Sequence, residues 1–135
     1  MSSKPVRRIR VLIADDRLWA RAGLRALLST RAEVEVVGEA ADGQAALELV
    51  GTQRPDVVLL DAQMPVLDGL ETTRLIRARW PETRVVVLTM HSAYRSEALA
   101  AGADSFLVKG GPTTQLFEAI LGSSDHKGSD VTARA

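Results

Sequence analysis

The sequence predicts an α/β domain built on a parallel, doubly wound sheet. Short apolar runs rich in Val, Ile and Leu recur five times, longer segments with helical spacing separate them, and Gly or Pro marks several of the junctions. Brief, nearly continuous apolar runs suit strands buried on both faces, which is the condition of a parallel sheet. Strands that alternate with helices give the crossover units of such a sheet.

The strands are read at Ile9–Ala14, 34–38, Val57–Leu60, 85–88 and Ser105–Val108. Leu24, Leu27 and Leu28 mark a first helix over about 17–29, and Ala45, Ala46, Leu49 and Val50 a second over about 43–52. A third, about 68–79, is marked by Leu70, Thr73 or Arg74, and Ile76 or Arg77, and ends before Pro81, which cannot continue a helix. The fourth covers about 93–101 and closes on Gly102, whose freedom at positive φ suits a helix end. The fifth runs about 113–121 between Pro112 and Gly122.

One domain of residues 9–122 accounts for the patterned sequence. Residues 1–8 read as a flexible basic N-terminus carrying Lys4, Arg7 and Arg8, and 123–135, rich in Ser, Asp and Gly, as a disordered tail too short for a helix-turn-helix. Seventeen basic residues balance seventeen acidic ones, so charge gives no footprint for nucleic acid or a membrane surface. Cysteine is absent, which excludes disulfides, thiolate metal sites and cysteine nucleophiles and is compatible with a reducing compartment. No apolar run approaches the roughly 20 residues of a membrane span, and Asp15 and Asp16 interrupt any signal-peptide core. These features predict a cytoplasmic protein.

Ligands of an open parallel sheet bind beyond the carboxyl ends of its strands. Asp15 and Asp16 stand there after the first strand, Asp61 after the third, Thr89 at the end of the fourth and Lys109 after the fifth. Each alone has an ordinary reading: a helix cap, a turn residue, a strand-end threonine or a solvated lysine. Together they predict three carboxylates, a hydroxyl and an ammonium converging on one place. Crowded carboxylates need a cation or shifted pKa values, and a hard divalent ion such as Mg²⁺ suits a site with few protein ligands and several waters.

The run Val11-Leu12-Ile13-Ala14-Asp15-Asp16, then Asp42-Gly43 ahead of a helix, resembles the receiver domains of two-component response regulators. So do Pro55-Asp56-Val57-Val58-Leu59-Leu60-Asp61 with Met64-Pro65 and Asp68-Gly69, the run Val86-Val87-Leu88-Thr89-Met90-His91, and the stretch from Ala101 through Phe106 to Lys109-Gly110. The resemblance covers roughly 9–121 and is strongest to the subfamily whose full-length members carry a C-terminal DNA-binding helix-turn-helix. It implies a flavodoxin-like (βα)5 fold with strand order 2-1-3-4-5.

The resemblance also implies the chemistry. Asp61 is the expected phosphoacceptor, and Asp15, Asp16, Asp61 and the main-chain carbonyl of Gln63 the expected Mg²⁺ ligands. Lys109 and Thr89 would each take a phosphoryl oxygen, and Phe106 would be the aromatic switch that fills space left by Thr89, turning from exposed to buried; its plain alternative is a permanent core residue. Expected partners are a sensor histidine kinase or phosphotransfer protein and, on activation, a second copy of the chain, with no direct nucleic-acid contact and no membrane. The responsive surface would be the fourth helix, fifth strand and fifth helix. Such a protein is a switch that catalyses its own phosphorylation and dephosphorylation, not a turnover enzyme, and it can act on transcription through a separate output domain.

Departures and rivals bound this reading. Gly110-Gly111 precedes Pro112, whereas many receivers place Pro directly after the lysine. Trp19, just past the acidic pair, either shields the metal site or covers the sheet edge. His91 has no helical-bundle context and reads as a solvated histidine, and Trp80 as an apolar cover at a helix end. A dehalogenase-type phosphohydrolase needs a second Asp two residues beyond the nucleophile, where this chain has Gln63. A flavodoxin-type cofactor site is disfavoured by carboxylates where a flavin phosphate needs donors. The remaining rival is a docking module that works without phosphorylation, which has no physical need for a costly acidic cluster.

Overall fold

A computed structural model of the protein describes residues 7–122; residues 1–6 and the expected tail, 123–135, lie outside the described residues. The elements run β1 (Ile9–Ala14), α1 (Leu18–Leu28), β2 (Val34–Ala40), α2 (Gly43–Gln53), β3 (Val57–Leu60), α3 (Gly69–Arg79), β4 (Arg84–Thr89), a 3-10 turn (Ser92–Tyr94), α4 (Arg95–Ala100), β5 (Ser105–Val108) and α5 (Thr113–Leu121). The five strands are parallel and ordered β2-β1-β3-β4-β5, the order implied by the resemblance.

Alternate residues of each strand serve opposite faces, because side chains alternate along a strand. Val11, Ile13, Val57, Leu59, Val86 and Leu88 pack with Leu28 of α1 and Leu116, Phe117 and Ile120 of α5. Leu12, Ala14, Val58, Leu60, Val85 and Val87 pack with Ala46, Leu47 and Val50 of α2, Ile76 of α3 and Ala98 of α4. Two cores therefore sandwich one sheet, and each fully buried Val, Leu or Ile contributes about 1.5–3 kcal/mol.

Helix starts follow local chemistry. The Asp42 side chain accepts from Ala45 N–H at 2.8 Å to cap α2, and Asp68 accepts from Glu71 N–H at 2.9 Å to cap α3. Gly102 and Gly122 adopt φ of +107° and +66° just after α4 and α5, where a side chain would be strained.

Two elements differ from the sequence expectation. β2 continues two residues past 38 because the register with β1 shifts between Val11 and Leu12, which brings Glu39 and Ala40 beside Ile13 and Ala14. The fourth helix begins as a 3-10 turn, so its α-helical part is only Arg95–Ala100. At the N-terminal side Arg7 donates to Asp56 at 2.9 Å and Arg8 to the Ala32 carbonyl at 3.1 Å, so both residues are held against the domain.

Candidate functional site

The sheet itself aims the site residues. Asp15 N–H donates to the Ala40 carbonyl at 3.0 Å, Asp61 N–H to Ala14 at 3.0 Å, and Lys109 N–H to Thr89 at 2.8 Å. Each residue just past its strand thus keeps one more rung of the ladder, and its side chain leaves the sheet crest in a fixed direction. Asp15, Asp61 and Thr89 are buried.

The two buried carboxylates are bound in the same way. Asp15 Oδ1 accepts from Arg17 N–H at 2.9 Å, and Asp61 Oδ1 from Gln63 N–H at 2.9 Å, each two residues on. Their Oδ2 atoms both accept from Lys109 Nζ, at 2.5 Å for Asp15 and 2.8 Å for Asp61. Burial, the largest single influence on the Lys109 ammonium, pushes its pKa down. The hydrogen bonds from it to Asp15 and then to Asp61, with the charges of both, together outweigh burial and hold it above its ordinary range.

Asp16 stands apart. It is exposed and lines a cleft of about 120 Å³ together with Arg17, Asp61, Gln63, Thr89, Met90 and His91. Among the described residues no three carboxylate or imidazole groups gather closely enough to enclose a metal ion. The predicted convergence is therefore tighter for Asp15, Asp61 and Lys109 than for Asp16. The donor set nonetheless fits a hard divalent ion that keeps most of its water, since Asp16, Asp61 and Gln63 border one small polar cleft.

Thr89 Oγ1 accepts a long 3.5 Å bond from His91 N–H within its own turn and makes no bond to Asp61 or Lys109. Phe106 is already buried, with the Arg95 guanidinium 5.8 Å from its ring centroid. His91 is exposed, as expected of a solvated histidine. Trp80 is half-buried against the core near Gly51, a cover as expected. Trp19 does not line the Asp61 cleft: the residue is 83% exposed and borders a separate apolar cavity of about 320 Å³ between α1 and the β5–α5 segment, beside the edge strand.

Two contributors were not picked out as site residues from sequence. Gly69 packs so closely that a Cβ there would overlap the Asp61 carbonyl oxygen, and its N–H donates to Ala62 at 2.9 Å. The Asp68-Gly69 pair signalled a turn but not this contact. Tyr94 accepts from Gln63 Nε2 at 2.8 Å, a pairing for which the sequence carries no signal. Between them the loop after Asp61 bends through Val66 at φ +70°, closed by Leu67 N–H on the Pro65 carbonyl at 2.7 Å.

Known proteins resemble this chain in sequence and in fold. The chain is 40% identical over 135 residues to a probable transcriptional regulatory protein NarL of Mycobacterium tuberculosis, covering 98% of this chain and 62% of the relative. It is 37% identical over 115 residues to the transcriptional regulatory protein DegU of Brevibacillus brevis, covering 84% of this chain and 49% of the relative. The chain thus spans half to three-fifths of the length of these two relatives. The solved signal receiver domain of the putative response regulator NarL from M. tuberculosis superposes with a TM-score of 0.80 at 40% identity, over 85% of this chain and 94% of that one. The sequence model of the response regulator receiver domain matches residues 11–121. With the strand order and these matches in agreement, the chain belongs to the response regulator receiver domain family.

Proposed function

We propose that the protein is a phosphorylation switch in which Asp61 accepts a phosphoryl group from a sensor histidine kinase or phosphotransfer protein. The observation that carries this reading is the single ammonium of Lys109 bonded to both Asp15 and Asp61, because two buried carboxylates held ready by one cation are costly and serve no packing purpose.

In the proposed step a carboxylate oxygen of Asp61 forms a bond to phosphorus, and the bond from phosphorus to the donor imidazole breaks with its electron pair on nitrogen. Asp15, Asp16, Asp61 and the Gln63 carbonyl are the residues that would hold Mg²⁺, which when bound offsets negative charge on the phosphoryl oxygens. Lys109, already against Asp61, pairs with one of those oxygens. Thr89 turns its hydroxyl from its own turn to another, a bond available only in the modified state. That difference shifts α4, β5 and α5 toward a second conformation, with Phe106 following Thr89.

The relatives support an output in transcription: several are named as transcriptional regulators. One solved relative, RcsB from Salmonella enterica serovar Typhimurium, 29% identical with a TM-score of 0.76 over 84% of this chain and 66% of that one, is described bound to a promoter in the presence of a phosphomimetic. For this chain the output domain would be a separate or further segment. Incubation with Mg²⁺ and acetyl phosphate, read by intact mass, tests the core of the reading. One phosphoryl group is expected on the wild type and none on Asp61→Asn; labelling of that variant at the wild-type level would refute the assignment.

A further inference from the structure

The main-chain carbonyl of Asp15 is held by a side chain. Arg21 of α1 donates from Nη1 to that oxygen at 2.7 Å and from Nε to Glu39 Oε1 at 3.1 Å. Arg25, one turn further along the same helix face, donates to the other Glu39 oxygen at 2.6 Å. Glu39 reaches α1 because of the register shift in β2. Val11 pairs with Val36 and Leu12 with Gly38, so Val37 is the extra residue. A slip of one residue moves a side chain to the opposite face of a sheet, and in unbroken register Glu39 would stand beside Ala14 and leave on the α2 side. As built, it stands beside Ile13, in the core that α1 covers. The end of β2 thus grips Asp15 twice, through the Ala40 carbonyl on its N–H at 3.0 Å and through the Glu39–Arg21 pair on its own carbonyl.

The Arg21 side chain is only 15% exposed, so drawing its guanidinium out of water and fixing its rotamers has a cost that defined contacts must offset. What those contacts fix is the peptide between Asp15 and Asp16. That unit is planar, so an oxygen held in one place sets the direction in which Asp16 leaves. The Asp15 carboxylate has Arg17 N–H and Lys109 to orient it, whereas the Asp16 carboxylate has no hydrogen-bond partner among the described residues. Its place on the cleft beside Asp61 therefore depends on the backbone behind it. We propose that Arg21, locked by Glu39, is a positioning residue that aims the Asp16 carboxylate at the divalent-ion site; the inference rests on the metal set proposed above. A positive charge near that site by itself repels a divalent ion, and Glu39 offsets this charge at its source. Arg21 thus lowers ion affinity through its charge and raises it through position, and position is the larger effect.

The test measures Mg²⁺ affinity by titration calorimetry at fixed ionic strength for wild type, Arg21→Met, Arg21→Lys and Arg25→Met. Thermal melting of each protein keeps every titration well below its transition. Arg21→Met removes a positive charge, so charge alone predicts tighter binding. It should instead bind about threefold to tenfold more weakly, less than the loss on removing a partner bonded directly to a metal ligand. Arg21→Lys keeps the charge but lacks the planar fork that spans two acceptors, and should weaken binding by about threefold or more. Arg25→Met removes the same charge, and its side chain donates only to Glu39 among the described residues. Its affinity should stay within about twofold of wild type or rise. Loading by acetyl phosphate gives a second reading: Arg21→Met should need more Mg²⁺ for its half-maximal rate yet approach the wild-type rate once Mg²⁺ saturates. Affinity no more than about twofold below wild type in the Arg21 variants, or an equal loss in Arg25→Met, would overturn the inference while leaving phosphoacceptance standing. Arg21→Lys decides if Arg21→Met does not fold. Mg²⁺ binding by the wild type without labelling of Asp61 would overturn the phosphoacceptor reading alone, and no Mg²⁺ binding by the wild type would overturn both.

Discussion

Lys109 Nζ lies 2.8 Å from Asp61 Oδ2 although 48 residues separate them in the chain, and the same nitrogen holds Asp15. One ammonium thus offsets two carboxylates at the sheet crest. Removing it in Lys109→Met leaves both acids buried without a counter-charge, which costs about 3–5 kcal/mol when such a pair is broken. Urea unfolding in the absence of divalent ions should show a loss of that order. On the proposed reading Mg²⁺ should then stabilise this variant more than the wild type, since the ion takes over part of the lost neutralisation. An unchanged urea midpoint would mean the carboxylates need no counter-charge.

Thr89 should affect response and not loading. Its hydroxyl bonds only within its own turn here, so Thr89→Ala is expected to accept phosphate on Asp61. On the proposed reading the variant lacks a bond worth about 1.5–3 kcal/mol to a charged oxygen, which is the most that contact could shift a two-state equilibrium. Hydrogen exchange with and without beryllofluoride measures the difference. Equal protection changes in α4 and α5 of wild type and variant would exclude coupling through Thr89.

Gly69 and Gly23 should respond oppositely to alanine. A Cβ at Gly69 overlaps the Asp61 carbonyl and the Ala62 Cα, so Gly69→Ala must displace the Asp61 loop, at an overpacking cost of about 1–3 kcal/mol or more. Gly23 sits within α1, where a Cβ meets nothing within 4 Å, and Gly23→Ala should stabilise by about 0.5–1 kcal/mol. Urea melts read both. Labelling with acetyl phosphate should fall only in the Gly69 variant.

Glu39 gives a pH signature. The hydrogen bond from Arg25 lowers its carboxyl below the ordinary 4.5, and contacts with Arg21 add to this against the opposing effect of burial. Because its pKa is depressed in the folded state, its contribution is fully present above about 4.5 and is lost as pH falls through the folded value. Glu39→Gln should therefore be less stable than wild type near neutral pH, with the gap closing as pH falls below 4.5. A gap that is the same at both pH values would assign the effect to shape instead of charge.

The sequence was most legible where burial and turn chemistry coincide. β3 and β5 end as read because their apolar runs stop at Asp61 and Lys109, and α5 ends at Leu121 because Gly122 turns left-handed. β2 ran longer than its apolar run because a register shift is a property of two strands together, and Gly38-Glu39 hides the continuation. The start of the fourth helix was blurred because Ser92–Tyr94 meets both helical patterns until the 3-10 turn is seen. At the crest, the rule that ligands gather at strand ends placed Asp15, Asp61, Thr89 and Lys109 together. It left open which acid the lysine takes, so the exposure of Asp16 and the shared grip on Asp15 and Asp61 emerge only from three-dimensional geometry.

The turn at Val66 has a mechanical consequence. A β-branched residue at φ +70° costs about 1–2 kcal/mol, and its side chain is 79% exposed, so burial returns little of it. The short Pro65–Leu67 closure therefore works like a bent spring between the buried Asp61 and a capped helix. Any event that lets this turn open releases that tension. Easing the strain with glycine would quiet the spring but also unfasten the loop, so stiffness at Asp61 and ease of movement beside it are set by one side chain.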